Sequence, residues 1–262
     1  MHGPSTLHKK RQHLERKNLT EKEIRKFSDT RAQTGIGHIF SHASYLINIA
    51  GPDPKKAALS RDALTRELIR CDLLDIPGVV LHPGAHMEDG IDKGIARVAD
   101  TINRIFDQTP ATCTRLLLET TAGQGTGIGH RFEHLADIME KVADKSRIGV
   151  CLDTCHVFAA GYDISSANAY RKIMQTFQDI IGIPRLFVIH LNDAKQPCGS
   201  RVDRHAHIGD GYIGASGFAA IMNDRRLKHI PKILETPKKK NGRDGDAINL
   251  KLLKKMVSKQ QA

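Results

Sequence analysis

Short apolar runs alternate along most of the chain with longer stretches in which apolar residues return every third or fourth position. The short runs are "GIGHIFSH" (35–42), "PGVVLHPG" (77–84), "TRLLLETTA" (114–122), "RIGVCLDTC" (147–155), "RLFVIHLND" (185–193) and "PKILETP" (231–237). Runs that are apolar without strict alternation predict strands buried on both faces. Helices are predicted over 20–33, 59–74, 91–108, 131–144, 166–181, 215–226 and 246–258. In 91–108 the residues Ile91, Ile95, Val98, Ile102 and Ile105 line up as one buried stripe. A strand followed by a helix, six times over, is an α/β fold with a parallel sheet, either open and doubly wound or closed into a TIM-type (β/α) barrel. No repeat, low-complexity tract or Pro/Gly/Ser-rich linker interrupts it, and "KKKNGRDGD" (238–246) reads as a basic turn after the last strand.

The strand ends carry the chemistry. Each run finishes in a histidine or a carboxylate: His42, His82, Glu119, Asp153 with His156, His190, and Glu235. In a parallel barrel all such ends lie on one face around one axis, so these side chains converge. Within "SRVDRHAHIGDG" (200–211), Asp203 and His205 share a face of an extended segment. Left without cations, Glu119, Asp153, Asp203 and Glu235 would repel one another and suffer desolvation. Mixed imidazole and carboxylate sets of this kind suit borderline divalent metals, zinc first.

Every one of these residues has a blander reading as a satisfied strand terminus or a helix cap. It is the recurrence at all six ends that favours a metal centre. His82 and His86 have helical spacing, but Pro83 and Gly84 break any helix between them, so His82 is taken as the ligand and His86 as a supporting neighbour. His207 alternates onto the same face as His205, and spacing does not choose between them. His38, His130, His134 and His229 read as ordinary polar or packing residues.

With 262 residues and 40% hydrophobic content, the chain can bury the core of one domain over 1–262. Its apolar runs are too short to cross a bilayer or to act as a signal segment, which predicts a soluble, intracellular protein of the cytoplasm or nucleoid. Five scattered cysteines form no disulfide framework and read as reduced thiols in or near the core. The net charge of +11 is concentrated at the ends: residues 1–26 hold eight Lys/Arg against three acids, and residues 224–262 twelve against four. In a closed barrel those ends are neighbours, giving either a positive flank suited to nucleic acid or simply a lysine-rich solvated surface.

The motifs "SHASYLIN", "LHPGAH", "ETTAGQGTGIGHRFEHL", "DKSRIGVCLDTCHVFAAGYD", "HLNDAK", "GSRVDRHAHIGDGYIG" and "ILETP" resemble, in order and spacing, the endonuclease IV family of zinc-dependent abasic-site DNA repair nucleases, over about residues 36–258. The resemblance implies a (β/α) barrel with three zinc ions. It places the first on His42, His82 and Glu119, the second on Glu119, Asp153, His190 and Glu235, and the third on His156, Asp203 and His205, with Glu119 bridging and available as catalytic base. It implies hydrolysis of duplex DNA 5′ to an abasic site, leaving a 3′-hydroxyl and a 5′-deoxyribose phosphate, as in base excision repair. Tyr45 and Leu46 match the family's wedge pair that enters the duplex at the lesion, and Arg11 and Gln12 resemble its DNA-contacting loop after the second strand. No membrane association and no obligate protein partner are expected.

The departure from the family pattern is N-terminal. Only ten residues, "MHGPSTLHKK", precede Arg11, and residues 1–18 form an atypical basic segment in which no strand is evident. A βα unit takes about 30 residues, so the first unit and most of the second strand are expected to be missing and the barrel incomplete. Two other readings stay open. A sugar isomerase or epimerase uses a similar metal-dependent barrel but needs no third site and no Tyr45–Leu46 wedge. A catalytically impaired paralogue that binds damaged DNA would keep the basic surface without the activity.

Overall fold

The computed structural model describes residues 18–258. The chain divides into two compact units, Met1–Leu118 with Asp137–Gly149, and Glu119–Ala136 with Val150–Ala262. In the first unit, helix α1 (Glu21–Thr34) opens on a capping box between Thr20 and Glu23 and closes at Gly35, whose φ of 66° a residue with a side chain would adopt at a cost. Strand β1 (Ser41–His42) is followed by α2 (Pro54–Leu73), β2 (Gly78–Leu81), α3 (Ile91–Gln108) and β3 (Arg115–Glu119). β1 pairs parallel with β2, and β2 with β3, so that Leu81 stands opposite Leu118. Four of the five residues of the predicted α3 stripe, Ile95, Val98, Ile102 and Ile105, are buried, each contributing about 2 kcal/mol by leaving water, while Ile91 at the helix start is half-buried.

Two expectations need correction here. The run 35–42 is a strand only at Ser41–His42, since Gly35 serves as the helix cap. α2 begins five residues earlier than predicted, because the Asp53 carboxylate accepts the Lys55 and Lys56 N–H groups and Pro54 needs no donor of its own at the first helical position.

Helix α4 (Phe132–Lys141) leads to β4 (Ile148–Asp153), and a seven-residue helix α5 (Thr154–Ala160) follows without a break. The strand predicted to run to Cys155 stops at Asp153 and gives way to this helix: the Asp153 carboxylate caps it, accepting the His156 N–H at 2.8 Å. Next come α6 (Ala167–Ile180), β5 (Leu186–His190), β6 (Asp193–Ala194), β7 (His205–Ala206), α7 (Gly214–Met222), β8 (Lys232–Ile233), β9 (Lys239–Lys240), β10 (Arg243–Asp244) and α8 (Gly245–Met256). In the second unit β4 pairs parallel with β5, setting Asp153 opposite His190, and β5 pairs parallel with β8. β8 is shorter than the predicted 231–237 because the Glu235 N–H is taken by the Asn192 side chain rather than by a strand. β6 and β7 form a separate antiparallel pair. The basic turn at 238–246 is itself a hairpin, β9 with β10, turning at Asn241-Gly242, both of which have positive φ. Among the described residues no helix is long and apolar enough to cross a membrane.

Candidate metal centre

The strand ends of the second unit bring their polar residues together. Glu119 ends β3, Asp153 ends β4, His190 ends β5, and Glu235 lies two residues past β8. One donor atom from each of these four lies within 4.8 Å of the others. His190 Nδ1 is 2.8 Å from Glu119 Oε1 and 3.1 Å from Glu235 Oε2. Glu119, Asp153 and His190 are buried, while the Glu235 side chain is 33% exposed, so the cluster opens to water on the Glu235 side.

A second cluster adjoins it through Asp153. His156, in the first turn of α5, has Nδ1 2.8 Å from the Thr120 carbonyl, which leaves Nε2 facing Asp203 Oδ2 at 3.1 Å. His205, at the start of β7, repeats the arrangement, with Nδ1 3.2 Å from the Glu235 carbonyl and Nε2 3.1 Å from Asp203 Oδ1. Fixing Nδ1 of an imidazole on a carbonyl orients its Nε2, the atom that would ligate a metal. The Asp203 carboxylate thus spans the Nε2 atoms of both rings.

The charges are strongly coupled. Burial opposes a proton on His156, but Asp153, Asp203 and Glu119 outweigh it and push its pKa up to about 10. Burial likewise opposes His205, and Asp203 and Asp153 carry it to about 9. His190 is also raised, since Cys151 and Glu119 beside it override its burial. Asp203 is affected in the opposite sense: burial would raise its pKa, yet His156 and His205 hold it well below the usual carboxylate range. Protons on these imidazoles do what cations would do, compensating the buried carboxylates. The two carbonyl-held rings, each turning Nε2 toward Asp203, and the mixed imidazole and carboxylate donors both fit a divalent ion such as zinc.

The remaining expected residues sit as follows. In the first unit the His42 and His82 rings meet edge to face at 5.4 Å, Tyr45 is 88% exposed, and Leu46 beside it is half-buried. Arg11 and Gln12 lie outside the described residues. His86 Nδ1 accepts the Gly90 N–H at 3.2 Å, a local helix-entry contact. His207 lies against Asn249 Nδ2 and the Lys239 carbonyl, so of the two competing histidines it is His205 that faces Asp203. Cys151 and Cys155 are buried, and burial pushes the Cys151 thiol up to about 12, which keeps it protonated at neutral pH. Cys113 and Cys198 are exposed, contrary to the expectation that all five thiols lie in or near the core. Sequence reading missed Thr120, Thr154 and Asn192. Thr120 Oγ1 accepts the Asp153 N–H at 3.0 Å, and Thr154 Oγ1 accepts the Asn192 N–H at 2.8 Å. Their only signal was position, each lying next to or two residues from a strand-end acid or histidine.

Parallel strands with acids and imidazoles at their carboxyl ends are the layout of a TIM-barrel site, and residues 6–256 match the family described as xylose isomerase-like TIM barrel. Probable endonuclease 4 of Geotalea daltonii is 47% identical over 244 residues, 93% of this chain and 85% of that protein. Probable endonuclease 4 of Chloroflexus aggregans is 45% identical over 241 residues, 92% and 84% of the two chains. Endonuclease IV from Thermus thermophilus superposes with a TM-score of 0.81 at 33% identity, covering 96% of this chain and 87% of that one. The chain therefore belongs to the endonuclease 4 family of xylose isomerase-like TIM barrels. A D-tagatose 3-epimerase-like protein, with a TM-score of 0.70 at 20% identity, shares the fold alone.

Proposed function

We propose that this chain is a metal-dependent endonuclease that cuts duplex DNA on the 5′ side of abasic sites, leaving a 3′-hydroxyl and a 5′-deoxyribose phosphate, the incision step of base excision repair. The observation that carries this reading is the donor set of Glu119, Asp153, His190 and Glu235 within 4.8 Å, adjoined by Asp203 at 3.1 Å from both His156 and His205. The names borne by the relatives support an endonuclease.

Zinc is the cation proposed, three ions in all. Glu119, Asp153, His190 and Glu235 would hold one, and His156, Asp203 and His205 another. His42 and His82 would join Glu119 for the remaining one, a set proposed on the family resemblance. When bound, divalent ions supply Lewis acidity toward a phosphate and lower the pKa of water. The chain's own part is to fix the donors and move protons. Thr120 and Glu235 carbonyls lock the His156 and His205 rings, so their Nε2 atoms need no reorganisation. Glu119 is the base: it takes a proton from the attacking water as the water oxygen bonds to phosphorus. The bond from phosphorus to the 3′ oxygen breaks, and a proton returns to that oxygen. Tyr45 and Leu46 fill the stack where the abasic sugar turns out, offsetting an unstacking cost of a few kcal/mol. Arg11 and Gln12 are proposed as further DNA contacts on the resemblance alone.

The test is incision of a duplex carrying one abasic-site analogue, with and without prior chelation. Cleavage 5′ to the lesion that is lost on chelation and restored by zinc supports the reading. Intact DNA from folded, zinc-loaded protein overturns it and returns the chain to the sugar-converting or binding-only alternatives.

A further inference from the structure

Asn192, two residues past the end of β5, is fully buried, and both ends of its amide are committed. Nδ2 donates to Asp153 Oδ2 at 2.6 Å, and Oδ1 accepts the Glu235 N–H at 2.8 Å. Its backbone is clamped as well. The N–H donates to Thr154 Oγ1 at 2.8 Å, and the carbonyl accepts from that hydroxyl at 2.7 Å. One primary amide therefore joins the end of β4 to the segment after β8, from a position directly after the strand between them.

We infer that Asn192 is a positioning residue of the metal centre, setting the orientation of the Asp153 carboxylate and its separation from Glu235. With Oδ1 bound by the His156 N–H and Oδ2 by Asn192, the Asp153 carboxylate cannot swing about its terminal torsion. Its Oδ2 stays 3.9 Å from both His190 Nδ1 and His205 Nε2, the two imidazoles of the neighbouring clusters. Only an amide does both jobs at this length. Aspartate in its place would set a second carboxylate against Asp153, glutamine is one methylene too long, and alanine makes neither bond. The inference rests on the metal-site reading of the preceding section and adds a residue that no ligand set contains.

Removing an outer partner of a metal ligand lowers metal affinity by about 10- to 100-fold. The experiment titrates zinc ion into stripped protein against a chromophoric chelator for the unaltered chain, Asn192→Ala, Asn192→Leu and Asn249→Ala. Asn249 is the control: it is equally buried, and its side chain bonds Thr236 Oγ1 at 2.8 Å and the Ile208 N–H at 3.2 Å. Asn192→Leu fills the volume that alanine vacates, so the measurement is available even where the alanine variant does not fold. Expected is a 10- to 100-fold loss of zinc affinity at one or more sites in the Asn192 variants, with Asn249→Ala at the unaltered value. Unchanged affinity in a folded Asn192 variant overturns the inference while leaving the metal site standing. An equal loss in Asn249→Ala also overturns it, by showing general loosening. If the unaltered chain itself binds no zinc, the metal-site reading falls and the inference falls with it.

Discussion

Two aspartates of the second unit, Asp153 and Asp193, are both fully buried, and their surroundings could hardly differ more. Asp193 Oδ1 accepts the N–H groups of Ala194 and Ile213 at 2.8 and 3.0 Å, and Oδ2 those of Gly209 and Gly211 at 2.9 and 3.0 Å. Gly211 comes so close that a Cβ there would lie 2.5 Å from Asp193 Oδ1. Four backbone donors neutralise that carboxylate and wind the 207–213 loop around it. Asp153 has two donors, the His156 N–H and Asn192, and is otherwise set among histidines and other acids. A buried acid saturated with N–H donors is architecture; one placed among further acids requires protons or cations to complete it.

The largest effect that tests this contrast is on turnover. Glu119→Gln keeps the size of the side chain and removes its charge and its basicity. Incision of abasic duplex should fall by about a thousandfold or more, equivalent to about 4 kcal/mol of barrier, while DNA binding persists in a gel-shift assay. Turnover near the original rate would remove Glu119 from the base role.

Next in size is stability. Asp193→Asn turns an acceptor into a donor facing N–H groups and should cost about 3 kcal/mol, read from denaturant melts, equally in stripped and zinc-loaded protein. Asp153→Asn retains the helix cap, since asparagine accepts an N–H as well as aspartate does, and loses the bond from Asn192 Nδ2, a cost shared by stripped and zinc-loaded protein. It should instead shrink the gap between stripped and loaded protein, a gap worth about 2.7 kcal/mol per site at a hundredfold excess of zinc over its dissociation constant. A zinc-dependent gap that collapses in Asp193→Asn and survives in Asp153→Asn would reverse the assignment of roles.

A smaller effect lies in pH. His156 and His205 are raised to about 10 and about 9 in the metal-free fold, above the ordinary value of about 6.5. A pKa raised on folding contributes stability that is fully present below about pH 6.5 and is lost as pH rises through the folded values. Stripped protein should therefore lose stability across that alkaline window, and zinc should flatten the slope by replacing the protons; melts from about pH 6 to 10 measure both. Tyr45→Ala should produce the smallest change in stability, within about 0.5 kcal/mol for so exposed a side chain. It should nonetheless weaken binding of abasic duplex relative to intact duplex by about tenfold, a difference measured by fluorescence anisotropy.

Much of this was legible in the chain. Each short apolar run ended in a donor, and α3 could be bounded at both ends because its stripe is regular. What local pattern could not show is what depends on long-range partners. The pairing of β6 with β7 links Asp193 to Ala206 and Ala194 to His205 across the intervening loop, a juxtaposition that no local spacing announces. Asn192 looked like one polar residue among several in "HLNDAK", and only the fold shows its amide lying between Asp153 and the Glu235 N–H. Helix α5 escaped notice because "TCHVFAA" continues the apolar character of β4, while the signal that starts it is the capping carboxylate of a residue already read as a ligand.

The central claim is that the acids and imidazoles at these strand ends form a cation site. Native mass spectrometry of the folded chain, purified without chelator and then stripped and reloaded with zinc, tests it most directly. The account predicts three bound zinc ions that leave on stripping and return on reloading. Folded protein that carries no divalent ion in either state would contradict it.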